Sequence, residues 1–206
     1  MNKKILHRPL NRWQINQKYG ENTVCYNLSK EGEYIWCDGY NPPTGYKSIY
    51  GDAGHKGIDL QATMWTPVFA AQRGNVYFID KNEKSGYDVR IESTEDGLTL
   101  RHIYEHLAKW NVEKGDWVET GQIIGWVGTT GYSTGPHLHF QVEDEYDNKL
   151  NPEMYLSDIK ATEVLAINDS LKSVTQKLGI IGTIIKHLFS LSTPGDDIMG
   201  KSGIIN

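Results

Sequence analysis

The sequence predicts an all-β domain of mostly antiparallel sheet or sandwich type, with an irregular extension before it and a helical tail after it. Three observations carry this reading. Short runs of alternating apolar and polar residues follow one another between residues 54 and 156, the chain's 21 glycines fall largely at the breaks between them, and only beyond about residue 157 does the apolar spacing become helical.

Residues 1–53 mix aromatic and polar side chains with turn signals such as Asn41-Pro42-Pro43 and Thr44-Gly45. Proline and glycine in such clusters interrupt regular structure, so this part is expected to form irregular strands and long loops packed on the following domain rather than a core of its own. Residues 54–156 contain the runs "TPVFAA", "GNVYFID", "YDVRIES", "LTLRHIYEHL", "DWVET", "IIGWVG" and "HLHFQVE", with Gly, Asp, Asn or Lys at the breaks. Residues 157–206 form the tail. Within "SLKSVTQKLGIIGTIIKHLFSL", Leu171, Val174, Leu178, Ile181, Ile185, Leu188 and Phe189 recur at three- and four-residue steps, the spacing of an amphipathic helix. Asp169 offers capping chemistry at its start and Pro194-Gly195 a stop. Gly179 and Gly182 interrupt the helix, and Ile180 and Ile184 widen its apolar face. Such a face either folds onto the β-domain or serves to dock a partner chain, self-associate or touch a membrane surface.

At 206 residues with 38% hydrophobic content, the chain is long enough for one domain with a buried core plus appendages. Its net charge of −5 leaves no basic stripe, so no nucleic acid is expected as a partner. The start, "MNKKILHRPLNRW", has lysines but no apolar run behind them, so no cleavable secretory signal is visible, and no segment is apolar enough to span a membrane. Cys25 and Cys37 are too few for a four-thiolate zinc site and suit either one disulfide or two free thiols; without an export signal, free thiols are the expectation.

The histidines point to chemistry. In "GPHLHFQVE" (135–143), Leu138, Phe140 and Val142 fall on one face of a strand and His137, His139, Gln141 and Glu143 on the other. The two imidazoles therefore point the same way, with Cα atoms roughly 7 Å apart. In "GHKGIDL" (54–60), His55 and Asp59 are separated by a segment whose full extension would hold their Cα atoms about 13 Å apart. Gly57 between them lets the chain bend and brings a nitrogen and a carboxylate ligand together, half of a zinc site. In "LRHIYEHL" (100–107), His102, Tyr104 and His106 share one face if the strand is regular. Five of the seven histidines thus lie in three short segments of the β-domain. They supply more than the three protein ligands a catalytic zinc requires, with histidines left for acid–base work.

The order "HKGID", "YEHL", "TGYSTGPHLHF", within the glycine framework of "VEKGDWVETGQIIGWVGTTGYSTGPHLHFQVE", resembles the lysostaphin-type zinc metallopeptidases, the peptidoglycan endopeptidases that include LytM-like proteins. The resemblance covers about residues 50–156. It implies one Zn2+ ion held by His55, Asp59 and His139 with water in the fourth position, His106 and His137 as the catalytic pair, and peptidoglycan peptides as substrate in a groove across the sheet. His102 is expected at a packed or rim position. Where the family commonly has a Gly-Thr-Pro-Val turn, this chain has Trp65 in place of the glycine, a ring expected to line the groove or to pack on the surface. Tyr46 and Tyr50 both lie near the family's upstream tyrosine, and the spacing selects neither; His7 and His187 lie outside the motifs.

Two rivals are weighed on residues. A lipoyl- or biotinyl-carrier domain needs a lysine at a hairpin tip, and "GQIIGWVGTTG" has none. A non-enzymatic wall-binding or assembly protein on the same fold would be expected to have lost ligands, whereas all five histidine and aspartate positions are present. The resemblance together with the missing export signal suggests a phage lysin or virion-carried enzyme acting on the bacterial cell wall. Cleavage of stems or cross-bridges, and of glycyl-glycine or D-amino-acid links, is left open.

Overall fold

A computed structural model describes residues 5–20, 24–25, 35–36 and 54–191. The chain divides into two compact units, residues 1–165 and 166–206, each described by itself. In chain order the strands are β1 (Leu6–Arg8), β2 (Ile15–Gln17), β3 (Val24–Cys25), β4 (Ile35–Trp36), β5 (Ile58–Gln61), β6 (Pro67–Phe69), β7 (Gly74–Asn82), β8 (Gly86–Glu95), β9 (Leu98–Trp110), β10 (Trp117–Val118), β11 (Ile123–Val127), β12 (His137–Asp144), β13 (Lys149–Leu150) and β14 (Leu156–Lys160). A 3-10 turn, Pro152–Met154, precedes β14, and helix α1 (Ala161–Leu191) follows it.

The all-β expectation holds. The main sheet runs β10-β7-β8-β9-β12-β5-β2, with β11 joining β6 to β9 and β13 flanking β12. All of its pairings are antiparallel. The β8–β9 hairpin shows how local chemistry fixes the register. Glu95 pairs with Leu98 across Asp96 and Gly97, whose φ angles are 50° and 78°. A two-residue turn with both φ values positive matches the right-handed twist of the strands, and Asp-Gly adopts it at low cost. Alternation then sends Val89, Ile91, Leu100, Tyr104, Leu138, Phe140 and Val142 into one core. The side chains of Tyr104 and Phe140 meet there with ring centroids 5.2 Å apart.

The first residues belong to this unit. β2 pairs with β5, and β1 forms a parallel ladder with β14. His7 Nδ1 lies 2.9 Å from Ser157 Oγ, so this histidine ties the two ends of the unit together. α1 begins at Ala161, and Asp169-Ser170 therefore lie inside it instead of at its cap; Ser170 Oγ donates back to the Ala166 carbonyl at 2.9 Å. Leu171, Val174, Leu178 and Ile181 are exposed along it. Cys37, Tyr46 and Tyr50 and the side chains of Cys25 and His187 lie outside the described residues, as does Pro194-Gly195.

Trp65 adopts φ +67° at the third position of the turn closed by the Thr66 N–H to Thr63 carbonyl bond. That is the position of a type II turn that favours glycine, which accounts for the glycine common in the similar family. Trp65 is 59% exposed and lines neither cavity described below, so little burial offsets the backbone cost. Trp65→Gly should therefore stabilise the protein by about 1 kcal/mol, a rise in Tm of about 2–4 °C by thermal melting.

Candidate metal centre

β12 lies between β5 and β9, and this adjacency assembles the site from three distant segments. Across one ladder His139 pairs with Asp59; across the other it pairs with Glu105. His55 precedes β5, and the chain bends at Lys56 and Gly57 to fold it back over the strand. Only glycine fits this bend. A Cβ on Gly57 would sit 2.5 Å from the Phe140 carbonyl oxygen and 2.9 Å from the His139 ring.

The bend brings His55 Nε2, Asp59 Oδ1 and His139 Nδ1 into a triangle with sides of 3.2, 2.9 and 3.0 Å. Three lone-pair-bearing atoms converging so closely need a proton or a metal cation between them. Zinc with ligands at about 2.0–2.2 Å in a tetrahedron would hold neighbouring ligand atoms roughly 3.3–3.6 Å apart, a few tenths wider than this triangle. His55, Asp59 and His139 thus fit one zinc ion, and they form the one group of metal-ligating side chains among the described residues. His55 Nδ1 donates to the Lys18 carbonyl at 3.1 Å, which fixes the ring and leaves Nε2 for metal.

Electrostatics agrees with this geometry. Burial works against charge on Asp59, yet the imidazoles of His139 and His55 hold its carboxyl far below the usual carboxylate range. Burial likewise opposes charge on His139, but the hydrogen bond to Asp59 and the nearby Glu105 carboxylate raise its pKa.

His106 and His137 flank the triangle. Their ring centroids are 4.9 Å apart, and His106 is 5.9 Å from His139. Regular alternation would put His106 with His102 and Tyr104 on the core face of β9, and the structure corrects that expectation. Between the pairs Tyr87–Leu107 and Val89–Tyr104 the register slips by one residue, and His106 takes φ +63°. This bulge swings the ring out of the core and toward the site, a common device beside reactive centres. His106 Nδ1 donates to the Thr130 carbonyl at 2.8 Å, leaving Nε2 as the free nitrogen. Burial, and then the charges of His139 and His137, push its pKa down to about 4. His137 Nδ1 is held by the Gly135 carbonyl at 2.8 Å, and its Nε2 lies 3.6 Å from Asp59 Oδ1.

His102 stays in the core, as its packed reading requires. Its Nδ1 accepts from Tyr104 OH at 2.7 Å, its Nε2 donates to Ser93 Oγ at 2.7 Å, and Ser93 Oγ donates to the Arg73 carbonyl at 2.7 Å. Burial lowers its pKa to about 3, so it is neutral. The carbonyls of Lys18, Thr130 and Gly135, which orient the reactive rings, carry no side-chain signal in the sequence. Glu105, inside "YEHL", could have been picked out by its place beside His106.

Two cavities border the centre. One of about 720 Å³ reaches Asp59 and His137; the other, of about 250 Å³, reaches His106 and His139. An antiparallel sheet carrying a two-histidine, one-aspartate metal set, with two further imidazoles and two cavities beside it, has the architecture of a single-zinc peptidase. The chain belongs to peptidase family M23, whose description matches residues 53–152. Lysostaphin from Staphylococcus simulans is 32% identical over 174 residues, 81% of this chain and 35% of that protein. Its catalytic domain shares the fold with a TM-score of 0.52 at 30% identity, over 69% of this chain and 91% of that domain. Peptidoglycan DD-endopeptidase ShyB from Vibrio cholerae is 31% identical over 137 residues, 66% of this chain and 28% of that protein. The catalytic domain of the prophage-encoded M23 protein EnpA from Enterococcus faecalis matches with a TM-score of 0.52 at 25% identity, over 73% of this chain and 97% of that one. The chain spans roughly a third of the length of the first curated relatives.

Proposed function

We propose that the protein is a zinc-dependent endopeptidase that hydrolyses peptide stems or cross-bridges of bacterial peptidoglycan. The observation that carries this is the convergence of His55, Asp59 and His139 within 3.2 Å of one another, beside two imidazoles that are not part of the triangle. His55, Asp59 and His139 would hold a zinc ion, which when bound would supply Lewis acidity to the scissile carbonyl and lower the pKa of a bound water to about 7. His106 and His137 move protons and stabilise the developing oxyanion, each with its Nδ1 committed to a backbone carbonyl and its Nε2 left for the reaction. Family membership and the likeness to ShyB support peptidoglycan as substrate. The test is mass spectrometry of fragments released from purified walls of different bridge types; walls left intact by zinc-loaded protein would end the proposal.

The likeness to prophage-encoded EnpA supports the finer reading, a phage lysin or virion-carried enzyme. Lysis of intact cells on external addition of purified protein tests it. The exposed apolar residues of α1 support attachment through the tail, to a partner chain, a second copy or a membrane surface; no described helix is long and apolar enough to cross a membrane. Because β14 pairs with β1 up to Lys160, the informative truncation removes residues 166–206. The truncated protein should keep its Tm and its peptide cleavage while its sedimentation or vesicle binding changes. Unchanged sedimentation and vesicle binding with a sharp loss of stability would show the tail to be part of the core.

A further inference from the structure

The two cavities beside the metal centre differ in charge. The larger is nearly neutral: apart from Asp59, its charged lining residue is Arg12, which donates to Gln14 Oε1 at 3.0 Å. The smaller is lined by Lys56, Lys84, Arg90 and Lys149 against Glu105 and Glu143. Arg90 and Lys149 are already paired with carboxylates. Arg90 donates to Asp88 through Nε at 2.9 Å and Nη2 at 2.7 Å, Lys149 is in contact with Glu143, and Glu105 accepts from Ser85 Oγ at 2.9 Å. No described group forms a hydrogen bond or ion pair with the ammonium of Lys56 or Lys84. That leaves two unpaired lysines and one carboxylate, Glu105, in the lining of this cavity.

The backbones that carry these lysines are fixed in place. Lys56 sits in the bend that Gly57 wedges against Phe140. Lys84 lies in the β7–β8 turn, where Asn82 Oδ1 accepts from the amides of Lys84 and Ser85 at 2.9 and 2.8 Å. The Lys84 carbonyl in turn accepts from the Tyr132 amide at 2.8 Å, and a Cβ on Gly131 would strike it at 2.4 Å.

We propose that Lys56 and Lys84 form a specificity site for a free carboxylate of the substrate peptide, on the His106–His139 side of the scissile bond. This rests on the peptidase reading above and narrows it: the preferred substrates carry an unamidated carboxylate close to the bond cut, and the neutral arm of the peptide lies in the larger groove.

The test uses muropeptides released from purified walls by a muramidase, half of the pool having its carboxylates converted to carboxamides with carbodiimide and ammonia. Wild-type enzyme should show about a tenfold higher kcat/KM on the untreated pool, expressed mainly in KM, and the preference should shrink with added salt because ammonium pairs near solvent are screened. Lys84→Gln and Lys56→Gln should each reduce the ratio, and the double variant should bring it to about one with zinc content unchanged. Lys114→Gln, an exposed lysine in a distant turn, should leave it intact. Equal cleavage of both pools by wild type, or a preference that survives in the double variant, overturns the carboxylate site and leaves the peptidase intact. Failure of wild type to cut either pool or whole walls overturns the peptidase reading and the carboxylate site with it.

Discussion

Alanine at His55, Asp59 or His139 should remove bound zinc and wall hydrolysis together. Each residue contributes one corner of a triangle with sides of 2.9–3.2 Å. Two remaining corners cannot complete the three-ligand set that a catalytic zinc requires. Activity should fall to that of metal-stripped enzyme, and elemental analysis of the purified variants should find less than a tenth of wild-type zinc. Asp59→Asn is the most discriminating, since it keeps the shape of the side chain while removing the carboxylate charge 2.9 Å from His139 Nδ1. Circular dichroism on the same samples separates loss of metal from loss of fold, a necessary control for His139, which is buried in the middle strand of the site. Full zinc in folded His55→Ala or His139→Ala would refute the ligand assignment.

Much of this centre was legible because strand alternation is rigid. His137 and His139 had to share a face once Leu138, Phe140 and Val142 were buried, and the structure has that arrangement. His55 and Asp59 were readable as a pair because Gly57 permits the bend; what the sequence could not supply was the reason for glycine there, namely the Phe140 carbonyl 2.5 Å from any added Cβ. The strands on either side of Asp96-Gly97 were readable as separate runs, whereas the two-residue turn that joins them is seen only in the structure. His106 did not announce its bulge. Histidine has no strong preference for φ near +63°, and the slip in register is imposed by tertiary surroundings: the Ser85 carbonyl takes its amide at 2.8 Å and the Thr130 carbonyl takes its Nδ1–H. Period-two counting therefore placed the right residue on the wrong face. The start of α1 escaped for a related reason. Asp169-Ser170 looks like a cap, but the helix continues without a break from Ala161, which is itself buried against Gly121, so packing upstream overrode a local capping signal.

That bulge also supports the separation of roles within the histidine cluster, and His106→Ala and His137→Ala test it. Both variants should retain zinc, because neither ring is a corner of the ligand triangle. Both should lose on the order of 10²- to 10⁴-fold in kcat, the range expected for removing a positioned proton-transfer group or an oxyanion donor. His106 is suited to accept a proton: its Nδ1–H is spent on Thr130, and its pKa of about 4 keeps Nε2 unprotonated at neutral pH. A group with its pKa lowered in this way is active above that value and lost as pH falls through it, so the acid limb of the pH–rate profile should disappear in His106→Ala. His106→Gln restores a polar side chain that cannot titrate, and it should keep zinc and still lack that limb. Near-wild-type turnover in either alanine variant would reduce that histidine to a structural role, whereas loss of zinc from His137→Ala would mean that its Nε2, 3.6 Å from Asp59 Oδ1, belongs to the metal shell.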